Sequence, residues 1–235
     1  MAARCLASRC TLKLMKRYLP VIIIVVVLVI AVGCVSFFWK RGGASSSDNN
    51  PTNPPSSSAG LAKPNVKLSS PIVIEEFGDY QCPPCGMIYP ELKQIEHDYG
   101  DQVQIVFHHF PLTKLHKNAM VAAHAAEAAR NQNKFWEMHD RLYRNQKEWA
   151  DLDDPRPIFI SYARDLKLNE AQFTADLDSP QVDARVNADI QRGTSLGVTG
   201  TPTIYIDTHL LRPEATNAEG LRRGINVMME RKAVS

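Results

Sequence analysis

Cys82 and Cys85 stand three positions apart in the stretch GDYQCPPCG, with only Pro83 and Pro84 between them. Two thiols at that spacing can exchange disulfides, supply half of a metal site, or close an inert structural disulfide. Exchange needs a thiolate. If the pair opens a helix, the first sulfur sits among free N–H groups at the positive end of the helix dipole. Thiolates in such motifs titrate at about 3.5–7.5, against about 8.5 for free cysteine. The second, more buried thiol then resolves a mixed disulfide by intramolecular attack. Pro83 suits this position, because the first helical turn has no use for its missing N–H.

A metal reading has less to build on. A structural zinc site wants four Cys or His ligands. The remaining cysteines, Cys5, Cys10 and Cys34, lie far upstream. The seven histidines are His97, His108, His109, His116, His124, His139 and His209, and none makes an obvious second pair. His108 and His109 are adjacent, so a strand would point them to opposite sides. His116 and His124 share roughly one face of an expected helix, but two turns apart. They read as surface or internally satisfied polar groups. Cu(I) between two soft thiolates is the remaining metal chemistry, and no Met or His cluster flanks the pair to support it. No cofactor and no metal are expected.

The elements around the pair follow from composition. Residues 19–39 form 21 positions without a charge, and about 20 apolar residues span a bilayer as a helix. Five basic and no acidic residues precede them. The positive-inside rule then puts residues 1–18 in the cytoplasm and the C-terminal bulk outside. Cleavage, or lipidation at Cys34, is the alternative to a permanent signal anchor. Residues 1–41 hold seven of the 27 Lys and Arg and none of the 25 Asp and Glu, so the rest of the chain is acidic by five charges. It has no basic cluster of the kind a phosphate backbone needs, and no nucleic-acid partner is expected. Residues 40–65, rich in Gly, Ser, Asn and Pro, read as a flexible linker.

The folded part is expected over 66–235. Residues 71–77 read as a buried strand, ended by Gly78-Asp79. A helix follows the cysteine pair, with Ile88, Leu92, Ile95 and Tyr99 on one face. Pro90 removes a donor inside it and crowds the carbonyl of Gly86, so a kink is expected. Residues 103–107 make a second strand, giving a right-handed βαβ unit. Helices are expected over 116–132, around Phe135 to Tyr143, over 158–166, over 170–177 capped by Asn169, and over 180–196. Residues 203–207 form a strand, with 209–211 as a short partner. Asn217 caps a last helix over 218–231.

The stretches EFGDYQCPPC, FHHFPL, KFWEMHDRLY and GVTGTPTIYID resemble the DsbA-like branch of the thioredoxin superfamily, along essentially all of 66–235. The resemblance implies an α/β thioredoxin fold with a helical domain inserted at about 114–196. It also implies an extracytoplasmic protein thiol-disulfide oxidoreductase. Cys82 matches the nucleophile and Cys85 the buried partner. Pro202 matches the cis-proline that faces the pair, with the backbone at Thr201 positioned for a substrate peptide. Glu76 matches an acidic residue beneath the site that serves proton transfer to the buried thiol. The other reading of Glu76 is a solvated carboxylate at a strand end.

Pro84 departs from the pattern, because the most oxidising members carry His there. Proline removes an N–H and an imidazole near the nucleophile, which implies a weaker oxidant. The implied partners are cysteine-containing exported proteins, a membrane redox protein that resets the pair, and the membrane itself. Oxidation of substrates is the expected direction, since disulfides persist outside the cytoplasm. A tethered reductase or isomerase, or a copper chaperone, is the alternative.

Overall fold

The computed structural model describes residues 70–234. The expected membrane segment 19–39, the linker 40–65 and Cys34 lie outside these residues. Among the described residues no helix is long and apolar enough to cross a membrane.

β-Branched residues open the fold: β1 (Ile72–Gly78) pairs in parallel with β2 (Val103–His109), and α1 (Pro83–Tyr99) makes the crossover. β3 (Thr203–Ile206) lies antiparallel on the other side of β1, and β4 (His209–Leu210) adds a short edge. The sheet order is β2-β1-β3-β4. Between β2 and β3 run six helices. They are α2 (Ala119–Arg130), α3 (Phe135–Arg144), α4 (Gln146–Trp149), α5 (Arg156–Asp165), α6 (Glu170–Asp176) and α7 (Pro180–Ser195). α8 (Ala218–Val234) closes the chain, with Asn217 Oδ1 accepting from the Gly220 amide at 2.9 Å. Asn169 caps α6 in the same way through the Gln172 amide.

Strand alternation sorts the two faces of the sheet. Ile72, Ile74, Glu76 and Gly78 share one face, in register with Val103, Ile105, Phe107 and His109 of β2. α1 packs there through Ile88, Leu92, Ile95 and Tyr99, and α8 through Leu221, Ile225 and Met229. Burying one such side chain contributes about 1.5–3 kcal/mol. Each helical glycine costs about 1 kcal/mol relative to alanine, so burial outweighs Gly86, Gly220 and Gly224 in these two helices. The inserted helices build a second apolar cluster around Trp149, Phe159, Phe173 and Leu142, and both cysteines belong to it.

α1 continues through Pro90, whose ring is exposed to solvent. One expectation needs correction: the helix expected from His116 begins only at Ala119. The loop before it is tied elsewhere: the Asn118 amide donates to Gln81 Oε1 at 2.6 Å, and His116 Nδ1 meets Asp79 Oδ2 at 2.6 Å. His116 and His124 therefore share no helix face. α4, a single turn, is too short to leave a periodic signal in the sequence. His108 and His109 do point to opposite sides, His108 toward Glu75 and Asp189, His109 toward Glu127.

Candidate active site

The site forms at one end of the sheet, where β1 finishes and β3 begins. β1 ends at Gly78, and four residues later Cys82 caps α1 with Pro83 and Pro84 in its first turn. Pairing of Phe77 with Thr203 brings the start of β3 beside that turn. The Thr201-Pro202 peptide just before β3 is cis. Cys82 Sγ lies 3.4 Å from the Thr201 carbonyl, across 119 residues of sequence. A groove of about 400 Å³ runs alongside, between Pro84, Met87 and Ile88 on one wall and Pro202, Pro213 and Thr216 on the other. Met87 is 69% exposed on its rim.

The two thiols differ in environment. Both are present as free thiols. Cys82 is pulled down to about 6, chiefly by the hydrogen bond from the Cys85 thiol, with help from Thr201 and the Cys85 amide. Burial and the Asp79 carboxylate oppose this but do not win. Prolines at both intervening positions leave the Cys85 amide as the donor of this segment. Thr201 Oγ1 has no partner beside the thiol; it favours the thiolate, which could accept from it. Cys85 is held well above the ordinary thiol range by its burial, by its bond to Cys82 and by Glu76.

Glu76 is 1% exposed. Its register partners on the same face are Phe107 and Ile204, so an apolar side chain flanks it on each neighbouring strand. Burial first, and the Cys82 sulfur second, push its carboxyl up to about 8. The reading as a solvated strand-end carboxylate is thereby excluded. At neutral pH Glu76 is mostly a neutral acid beneath the thiol pair.

The turn that carries Cys82 is held by residues with no obvious mark in the sequence. Asp79 has a fully buried carboxylate that accepts from the Gln81 and Leu112 amides at 2.8 and 2.9 Å and meets His116 Nδ1. Gln146 Nε2 donates to the Tyr80 and Cys82 carbonyls at 2.7 and 2.9 Å. Gln81 Nε2 and Asn118 Nδ2 both donate to the Ala150 carbonyl. The inserted helices thus fasten the active-site turn from outside the core fold. The only hint in sequence is a run of polar residues beside the cysteines. Among the described residues no group of three or more His, Cys, Asp or Glu could hold a metal ion.

The thioredoxin family model matches residues 67–226, more than half of the chain. The chain belongs to the thioredoxin family. A relative in Bacillus cereus, described as a probable disulfide bond formation protein D, is 33% identical over 160 residues, which cover 63% of this chain and 71% of that protein. Two solved structures share the fold. Oxidised BdbD from Bacillus subtilis superposes with a TM-score of 0.61 at 20% identity, over 72% of this chain and 91% of that one. DsbA from Xylella fastidiosa gives 0.60 at 16% identity, over 74% and 92%. The chain also matches much longer proteins. It is 36% identical over 138 residues to Na(+)/H(+) antiporter NhaA 1 of Salinispora arenicola, 59% of this chain but only 20% of that protein. The chain spans about a fifth of such relatives, whose name describes the whole antiporter.

Proposed function

We propose that this chain is a membrane-anchored thiol-disulfide oxidoreductase that donates its Cys82–Cys85 disulfide to cysteines of exported proteins. The observation that carries the reading is the split between the thiols: Cys82 falls to about 6 while Cys85 is pushed well up, above a protonated Glu76. A substrate thiolate attacks Cys82 Sγ of the oxidised pair. The internal S–S bond breaks, and Cys85 leaves as a thiolate that takes the proton of Glu76. A second substrate thiolate then attacks the substrate sulfur of the mixed disulfide, and Cys82 departs as a thiolate, the better leaving group for its lowered pKa. The substrate has lost two electrons and the enzyme pair has gained them. The edge at Thr201-Pro202 and the adjoining groove offer the substrate backbone a place beside Cys82.

Residues 19–39 serve as the single-pass anchor, with the N-terminus in the cytoplasm and residues 66–235 outside. The charge-free run and the basic flank support this. A membrane redox protein re-oxidises the pair.

Refolding of reduced RNase and reduction of insulin by the full-length chain, with metal analysis, test the reading. Disulfide formation lost in Cys82→Ser, without stoichiometric metal, is the expected result. Stoichiometric copper with no thiol exchange would refute it. Trapping the cysteines in cells gives the direction: an oxidised pair is expected, and a reduced pair would mean a reductase.

A further inference from the structure

Beneath the cysteines lies a second group of polar side chains that the exchange steps above do not use. Phe107, the register partner of Glu76, stacks on Tyr80 with ring centroids 5.0 Å apart and meets His139 edge-on at 4.9 Å. Tyr143 stands 4.9 Å from Tyr80 and 5.1 Å from His139, ring to ring. His109 completes the group, 5.9 Å from Tyr80. All are buried, and an atom of each lacks a hydrogen-bond partner: Tyr80 Oη, Tyr143 Oη, His139 Nε2 and His109 Nδ1. Glu76 Oε1, in the same layer, also lacks one.

These unpartnered atoms are complementary. His139 Nδ1 faces Asp140 Oδ1 at 3.4 Å, and His109 Nε2 faces Glu127 Oε1 at 3.0 Å. Each carboxylate assigns the N–H of its histidine to the outer nitrogen and leaves the inner one as an acceptor. Two hydroxyl donors and two imidazole acceptors therefore sit in one aromatic cluster around Phe107, the register partner of Glu76. The Tyr143 hydroxyl also has a fixed place on the sheet. It would stand 3.0 Å from a Cβ on Gly78, and the Phe107 ring would block that Cβ outright. Gly78 is two residues beyond Glu76 on the same face, about 6.6 Å along a strand. Contact between the Tyr143 hydroxyl and the Glu76 carboxyl would need a bridging water of the kind that pairs buried polar groups. Asp140, at the outer end, is partly exposed and contacts Arg144 at 3.3 Å.

We propose that Tyr143 and His139, with Tyr80 beside them, form a proton relay that connects Glu76 to solvent at Asp140. This rests on the exchange reading and extends it. When the reduced pair is re-oxidised, Cys85 must lose a proton as it attacks the mixed disulfide at Cys82. Glu76 accepts that proton only after passing on its own. The relay takes it through the Tyr143 hydroxyl to His139 Nε2, while His139 yields its Nδ1 proton outward beside Asp140. No atom is lost, and the two electrons go to the disulfide oxidant. The field at Tyr143 agrees with this placement: its phenol is pushed well up by burial, and next by Glu76 and Cys85.

The test uses the reduced full-length chain and oxidised glutathione, with acid quenching and mass spectrometry to follow two steps. Formation of the Cys82–glutathione adduct should match wild type in Tyr143→Phe and Tyr80→Phe. Resolution by Cys85 should slow about tenfold in Tyr143→Phe, the scale of a weakened proton-transfer step, and its solvent isotope effect should grow. Tyr143→Phe should add nothing in a Glu76→Gln background, because both changes interrupt one path, whereas a purely structural effect would add. Adducts that resolve at the wild-type rate in both phenylalanine variants, or additive effects with Glu76→Gln, would overturn the relay and leave thiol exchange standing. Failure of the wild type to form any adduct would overturn the exchange reading and the relay together.

Discussion

Cys82 gains its acidity from neighbours that are few and nameable. Its low value predicts that iodoacetamide labelling of the reduced protein will rise through a midpoint near pH 6, with Cys85 silent. A midpoint above 8 would remove the basis for an activated nucleophile. The family resemblance implies His in the most oxidising sites where this chain has Pro84. We predict that Pro84→His lowers the midpoint further and shifts the glutathione equilibrium toward the dithiol, because an added N–H and imidazole stabilise the thiolate. A mutant no more oxidising than the parent would refute that. Glu76 gives a prediction on stability. Its folded-state pKa is raised from 4.5 to about 8, so the folded form holds its proton more tightly than the unfolded chain does. Its contribution is fully present below about pH 4.5 and is lost as pH rises through 8. Unfolding of the wild type and Glu76→Gln should therefore coincide near pH 4.5 and diverge toward pH 8, the variant becoming the more stable. Each pH step of one between the unfolded and folded values is worth about 1.4 kcal/mol, so the gap reaches a few kcal/mol. Parallel curves across that window would contradict the buried, protonated carboxyl.

At the scale of elements, the helical insertion acts on the active site by holding its turn. Gln146, in the one-turn helix α4, bonds two carbonyls of the turn and sits against Gly86, whose added Cβ would lie 2.8 Å from its side-chain oxygen. We predict that Gln146→Ala lowers stability by about 1–3 kcal/mol and speeds hydrogen exchange of the amides at 79–82, leaving those of β2 unchanged. Equal acceleration in both places would mean global loosening. The sequence shows this insertion as a block of helices but does not show its contact with the site. Apolar periodicity marks the buried face of α3, since Met138, Leu142 and Tyr143 recur at helical spacing. It says nothing of a glutamine that reaches back 64 residues to a carbonyl. The start of α2 escapes the sequence for the same reason. His116, Lys117 and Asn118 suit a helix well enough, but bonds of His116 and Asn118 to the active-site turn outweigh one more helical turn.

For the whole molecule, the cysteine pair, its helix and the order of elements are legible because each leaves a local mark, while the proline facing the pair is legible only through the family resemblance. CPPC and the apolar run of β1 need no tertiary information. The internal tyrosines and histidines are not legible. Tyr80, His139 and Tyr143 come together around Phe107, which lies opposite Glu76 in the strand register. Location is a matter for the full chain. We predict that it sediments with membranes and resists alkaline carbonate, and that a chain lacking residues 19–39 does not sediment. Soluble full-length protein would argue for cleavage or for another mode of export.

The contact between Cys82 and Thr201 spans 119 residues, and this bears on the birth of the protein. Strand β3 follows the entire helical insertion, and pairings of such long range are slow to form. Until β3 docks, Cys82 has neither Thr201 beside it nor a groove along it. Until then Cys82 lacks the Thr201 share of its acidification and keeps the larger share, which comes from Cys85 in the same helical turn. The groove beside Cys82, walled by Thr201, Pro202 and Pro213, is therefore complete only when the chain from Thr201 onward has docked.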